Sequence, residues 1–263
     1  MDGLYPSLNR RHTHEPVRPE PSAQKIRIGF LGPAAGVGTT TLAFAAAEYL
    51  ASAYGKRKTV TLLELDPRQA AAAGRPYDKI GADRRFAGRD FISHYRLAAE
   101  GKPLHDVNNI HGGINWILRV PGEAGPGPAS HALFRLLNNA TGDVIICDIP
   151  AYAFTSAGDT LPALLADLNR IICVFDPLPS RLLASVPAAE ACRAAAAAGV
   201  PLTFVFNKLN PGVNLREATR FTGVTDYIPF PAIPFETVYA AEYACRSLAS
   251  VPEIKAALAQ LLR

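Results

Sequence analysis

The sequence predicts a single α/β domain with three layers: a mainly parallel, doubly wound sheet with helices on both faces. Three observations predict it. Short, nearly all-apolar runs alternate with longer helical stretches, the pattern of strands buried on both faces. The first such run leads through a glycine-rich turn straight into an alanine-rich helix. Two later runs end in an aspartate followed closely by a proline, so acids gather at strand ends, where open α/β sheets hold their ligands.

In chain order, residues 1–24 are rich in proline, arginine, histidine and polar residues without periodicity, and are expected to form a flexible tail ahead of one domain over 25–263. Ile26–Leu31 reads as a strand, Thr40–Ala53 as a helix and Thr59–Leu65 as a second strand. A helix is expected at Asp90–Glu100 and a strand at Ile114–Val120, closed by the break PGEAGPGP. Helix Ala129–Asn139, strand Asp143–Cys147 and helix Gly158–Leu168 follow. Then come strand Arg170–Phe175, helix Ser180–Ala198 and strand Leu202–Phe206. A short strand near Tyr227–Ile228 precedes helices at Glu236–Leu248 and Pro252–Leu262.

Composition narrows the function classes. Hydrophobic residues make up 49% of 263, enough for a sizeable core, and a formal charge of +4 singles out no partner, so nucleic acid is not expected as the primary one. The four cysteines form no CxxC pair and lie in apolar segments, which argues for buried, reduced thiols and a cytoplasmic setting. The N-terminal stretch has no apolar signal-peptide core, and no apolar run approaches the ~20 residues that span a bilayer. The six histidines show no metal-ligand spacing beyond His12-x-His14, and surface or tail positions are expected for them. Trp116 is expected in the core. The last helix carries Ile254, Leu258, Leu261 and Leu262 on one side, and is expected to pack on its own domain rather than on a membrane.

The stretch GPAAGVGTTT, Gly32–Thr41, sits between a strand and a helix, the context a phosphate-binding loop requires. Its backbone N–H groups and the helix N-terminus would form an anion-binding concavity, with Gly36 and Gly38 allowing close backbone approach. Thr40 would offer its hydroxyl to Mg²⁺ and Thr41 would face a more distal phosphate. The same turn also joins strands to helices where no phosphate binds. Asp66 and Asp148 stand at the carboxyl ends of buried strands, as metal-facing acids or as helix caps. Asn207, beside Lys208, could read the edge of a base or serve as a turn asparagine.

Taken together, GVGTTT, LLELDPRQ, IICDIPA, FVFNK and IPFPAIPFETVYAAE occur in an order that resembles the ParA/MinD family, the deviant Walker A ATPases of the SIMIBI class of P-loop NTPases. The resemblance covers most of Ile26–Leu262 and is closest to the TadZ/CpaE-like pilus-assembly branch. It implies binding of ATP or ADP with Mg²⁺. Gly36, Val37, Gly38, Thr39 and Thr41 then match the phosphate cradle, and Thr40 matches the Mg²⁺-binding threonine. Asp66 matches the acid that positions the attacking water near the metal, and Asp148 the acid that holds the metal through water. Glu64 falls where many members carry another aspartate. Asn207 matches the adenine-reading asparagine with Lys208 beside it, and Pro229, Pro231 and the residues up to Pro234 would supply backbone near the base. The resemblance also implies a homodimer and a protein assembly partner such as a pilus or secretion apparatus. Its setting would be the cytoplasm, or the inner face of the membrane as a peripheral protein.

Two departures limit the activity expected. The family loop reads KGGVGKTT; its first lysine, which reaches the partner's nucleotide, falls on Ala34, and its second, which holds the β- and γ-phosphates, falls on Thr39. Phosphoryl transfer depends on positioning and charge neutralisation, and losing one such contact slows it by about 10² or more. The expectation is therefore weak or conditional nucleotide binding and little hydrolysis, in a positioning or scaffold factor. The alternatives are an active ATPase with a substitute cation, from Arg68, Lys208 or a partner, and an interaction protein that binds no nucleotide.

Overall fold

A computed structural model describes residues 25–65, 91–104, 108–120, 130–151, 160–244 and 246–263. Eight strands form one sheet: β1 (Ile26–Leu31), β2 (Val60–Glu64), β3 (Ile110–His111), β4 (Ile114–Ile117), β5 (Val144–Ile149), β6 (Arg170–Phe175), β7 (Leu202–Leu209) and β8 (Ile228–Pro231). Their order is β3-β4-β2-β5-β1-β6-β7-β8, and every neighbouring pair is parallel except β3 with β4. Among the described residues the helices are α1 (Thr39–Tyr54), α2 (His94–Ala99), α3 (Ser130–Asn139), α4 (Thr160–Ala166), α5 (Pro179–Ala197), α6 (Leu215–Thr222), α7 (Phe235–Tyr243) and α8 (Pro252–Leu261), with a short 3₁₀ turn at Leu248–Ser250.

Period-two alternation splits the core in two. Ile28, Phe30, Leu62, Ile146 and Val174 face one side, where they pack against α1, α7 and α8. Leu31, Leu63, Cys147, Cys173 and Phe175 face the other, against α2 to α6. Alanines at 43, 46, 47 and 51 let α1 lie close against the strands. Trp116 is buried as expected: its indole N–H donates to the His111 carbonyl at 3.0 Å, and its ring meets Phe44 at 5.4 Å. The last helix buries Ile254, Leu258 and Leu261 against its own domain.

The three-layer parallel sheet is the one the sequence predicts, with several local differences. The helix expected from Asp90 begins at His94, because the Ser93 hydroxyl accepts from the Arg96 N–H at 3.0 Å and caps it there. Asp90 itself lies outside the described residues. The strand expected over Ile114–Val120 is shorter and is joined to β3 by a hairpin whose Gly112 and Gly113 have φ of 61° and 78°. The expected helix Glu236–Leu248 stops at Tyr243, where the Arg246 N–H turns back onto the Ala241 carbonyl. Helix α6 has no counterpart in the sequence reading, although Asn214 caps its start and Gly223, at φ 68°, ends it. His94 is buried rather than at the surface, its ring 3.5 Å from the Asn109 amide. Residues 1–24, Asp66, Arg68, His12, His14, His105 and Cys245 lie outside the described residues.

Candidate functional site

Strand order reverses around β1: the chain runs from it outward to β2 on one side and later to β6 on the other. A crevice at the carboxyl edge of such a sheet is where ligands bind. The stretch Gly32–Gly38 leaves β1 at that edge and delivers the chain into α1. Gly36 and Gly38 have φ of 77° and 95°, left-handed values that favour glycine. Gly38 is the N-cap of α1, no side chain caps the helix, and its first turn holds no acid. Its leading N–H donors are thus left to an anion.

The loop is held from the opposite half of the chain. The buried Asn207 amide donates to the Val37 carbonyl at 2.9 Å. The Lys208 ammonium donates to the Gly36 carbonyl at 2.6 Å and to Asp176 Oδ2 at 2.6 Å. Lys208 is also the one described non-glycine residue with a left-handed backbone, at φ 61°, and it lies where the pairing of β7 with β8 becomes irregular. Asp176, at the end of β6, accepts at its other oxygen from the Leu178 N–H at 3.0 Å. Both bonds to the loop fall on carbonyl oxygens, which leaves its N–H groups for a ligand.

The side chains within the loop are partly folded inward. Ala34 and Val37 join the core beneath α1. Thr39 is buried, with its hydroxyl against Gly32 at the point where a β-carbon would sit. Thr40 and Thr41 are half-buried. On the same sheet face as α1, Glu64 and Asp148 are register neighbours on β2 and β5, both buried. Glu64 Oε2 accepts from the Arg119 N–H at 3.0 Å, the Tyr95 hydroxyl donates to the Glu64 carbonyl, and the Leu65 N–H donates to the Asp148 carbonyl at 2.8 Å. Asp148 is paired with Phe30 of β1, one residue before the end of that strand. Pro229 and Pro231 lie on β8 beside β7, Pro229 exposed and Pro231 half-buried.

The structure thus brings Gly36, Val37, Gly38, Thr39, Thr40, Asn207 and Lys208 to one loop, with Asp148 on the strand next to β1. One residue was missed. Arg181, in the first turn of α5, lies with its guanidinium beside Gly36: Nη2 and Cζ stand 3.1 and 3.3 Å from where a β-carbon on that glycine would be. A signal existed, since a cation in the first turn of a helix opposes the helix dipole.

A strand, a glycine turn held by its carbonyls, and an uncapped helix N-terminus at a switch point define the class: a three-layer α/β fold built around a phosphate-loop-type turn. Its fold is that of the ParA and MinD ATPases. A ParA-family ATPase from Chlorobium tepidum aligns over 92% of this chain and 99% of its own, at 15% identity and a TM-score of 0.67. The septum site-determining protein MinD from Pyrococcus horikoshii, complexed with Mg-ADP, aligns over 89% and 93%, at 14% identity and 0.62. A chain of the MinC:MinD cell division protein complex from Aquifex aeolicus aligns over 91% and 96%, at 13% identity and 0.66. Neither a protein-family model nor a curated protein matches the sequence. Among the described residues, no helix is long and apolar enough to cross a membrane.

Proposed function

We propose that this chain is a ParA/MinD-like nucleotide-binding protein whose Walker A loop has lost its lysines. It would position or scaffold a larger assembly, with little or no ATP hydrolysis. The observation that carries this reading is the loop itself. Its two left-handed glycines and its carbonyls are fixed by Asn207 and Lys208, while alanine and threonine occupy positions 34 and 39.

The residues present suit ATP or ADP with Mg²⁺. A β-carbon at Gly36 would crowd Arg181 and one at Gly38 would strike the Asn207 amide, so glycine at these positions lets both polar side chains come close to the loop. Bound ATP·Mg²⁺ would supply a transferable phosphoryl group and a divalent charge. The loop N–H groups would bind the phosphates, Thr40 and Asp148 would hold the metal, and Thr41 would meet a distal phosphate. The face of Asn207 not bonded to Val37, with Pro229 and Pro231, would border the base. Asp66 would orient water, as the resemblance implies.

Without a lysine at 34 or 39, charge developing on the phosphates lacks two neutralising contacts, which favours a bound state over turnover. The reading extends to a nucleotide-held homodimer and to a pilus or secretion apparatus of the TadZ/CpaE kind as the partner, in the cytoplasm or peripherally at the inner face of the membrane. Isothermal titration with ATP·Mg²⁺ and ADP·Mg²⁺ tests the binding half, with saturable heat expected. Absence of heat up to millimolar ligand would reject it. Phosphate release is expected at or near background, and steady release abolished by Asp66→Ala would favour the working-ATPase alternative.

A further inference from the structure

The two cations that the loop's neighbours bring to it are differently engaged. Lys208 is committed: its ammonium sits 2.6 Å from both the Gly36 carbonyl and Asp176 Oδ2. Asp176 is committed too, its second oxygen taken by the Leu178 N–H. Arg181 stands on the same side of the loop, Nη2 3.1 Å, Cζ 3.3 Å and Nη1 3.6 Å from the β-carbon position of Gly36. Among the described residues its guanidinium makes no hydrogen bond and no ion pair. It is half-buried, and it stands in the first turn of α5, where the helix dipole disfavours a cation. A guanidinium held in that position with all its donors unused is arranged for an anion that arrives from outside.

We infer that Arg181 is the phosphate-binding cation of this site, contributed from α5 in place of the lysines missing at 34 and 39. A phosphate oxygen that accepts from a loop N–H lies about 2.9 Å from that nitrogen. The guanidinium stands beside that loop, Nη2 3.1 Å from the β-carbon position of Gly36. The planar fork can meet two oxygens of the phosphate chain at once, which the buried threonine at 39 cannot do. Lys208 then acts as a strut that sets the loop, and Arg181 supplies the charge. This assignment rests on the nucleotide-binding reading of the loop, and adds to it the group that compensates for the absent lysines.

The test compares full-length wild type, Arg181→Gln, Arg181→Lys and Lys56→Gln by titration with ADP·Mg²⁺ and with inorganic tripolyphosphate. Lys56 is exposed in the turn beyond the far end of α1 and controls for net charge. Thermal melts confirm that each variant is folded. Arg181→Gln is expected to weaken both ligands about tenfold or more, as loss of a charge-assisted bond does. Arg181→Lys should recover part of that loss, and Lys56→Gln should match wild type. The loss should shrink as salt is raised. Wild type binding with Arg181→Gln unchanged would overturn the assignment while leaving nucleotide binding intact. A loss in Arg181→Gln that Arg181→Lys does not recover at all would overturn the charge role. No binding of either ligand by wild type would overturn both the assignment and the reading beneath it.

Discussion

Removing the Lys208 ammonium should loosen the loop and destabilise the fold by an amount the structure bounds. Exposed ion pairs contribute about 0.2–1 kcal/mol, whereas breaking a buried one costs about 3–5 kcal/mol. The pair here lies between these limits, with the Lys208 side chain 44% exposed and that of Asp176 6% exposed. Lys208→Met would leave Asp176 with only the Leu178 N–H, so about 2 kcal/mol is expected. For a chain of this size that corresponds to a fall in Tm of roughly 4–8 °C. The left-handed backbone supplies an internal control, because a non-glycine residue there carries about 1 kcal/mol of strain that glycine relieves. Lys208→Gly should therefore melt higher than Lys208→Met, by a few degrees. A double-mutant cycle with Asp176→Asn should return a coupling of about 1 kcal/mol or more. Calorimetry measures all of these. A Tm within about a degree of wild type for Lys208→Met would refute the tether, and identical Met and Gly variants would refute the backbone argument.

Three further outcomes are expected. Gly38→Ala, at φ 95° and against the Asn207 amide, should destabilise by about 2–3 kcal/mol in denaturant melts, combining left-handed strain with displacement of a buried hydrogen bond. Asp143 is held below the usual carboxylate range by the Thr59 backbone N–H and then its hydroxyl, so it favours the fold above the unfolded value of ~3.9. That contribution should fade as pH falls through the lower folded value, and Asp143→Asn should remove the corresponding part of the Tm–pH curve. Burial, chiefly, pushes the Cys147 thiol up to about 12. Cys147, Cys173 and Cys192 should resist Ellman's reagent in the native protein at pH 8 and react after unfolding in guanidinium. The Cys147 contribution to stability, complete below the unfolded thiol value of ~8.5, should decline as pH rises from there toward the folded one.

The sheet was legible because buried parallel strands leave uninterrupted apolar runs, and each interruption marks an edge. What escaped were elements whose signals are short. The β3–β4 hairpin is announced by two adjacent glycines alone, and α6 by its Asn214 cap and Gly223 stop around a polar, eight-residue segment. At the site, the loop was visible because it joins β1 to α1, and Asn207 because it ends the apolar run within β7. The Arg181 approach was hinted at only by a cation in the first turn of a helix, and its reach to Gly36 depends on how α5 leaves β6. Lys208 was visible as a cation but not as a strut, because its partners lie 172 and 32 residues away in the chain.

Those separations bear on how the protein is made. The loop is synthesised well ahead of its supports, because the bonds that set its carbonyls come from residues 170 and 172 positions later. On the ribosome, the Gly36 and Val37 carbonyls must therefore wait for Asn207 and Lys208 before these bonds form. Any ligand that favours the set loop equally favours the arrival of β7 beside it, by the linkage that ties binding to folding. Occupancy of the loop would then act as a late checkpoint on completion of the sheet.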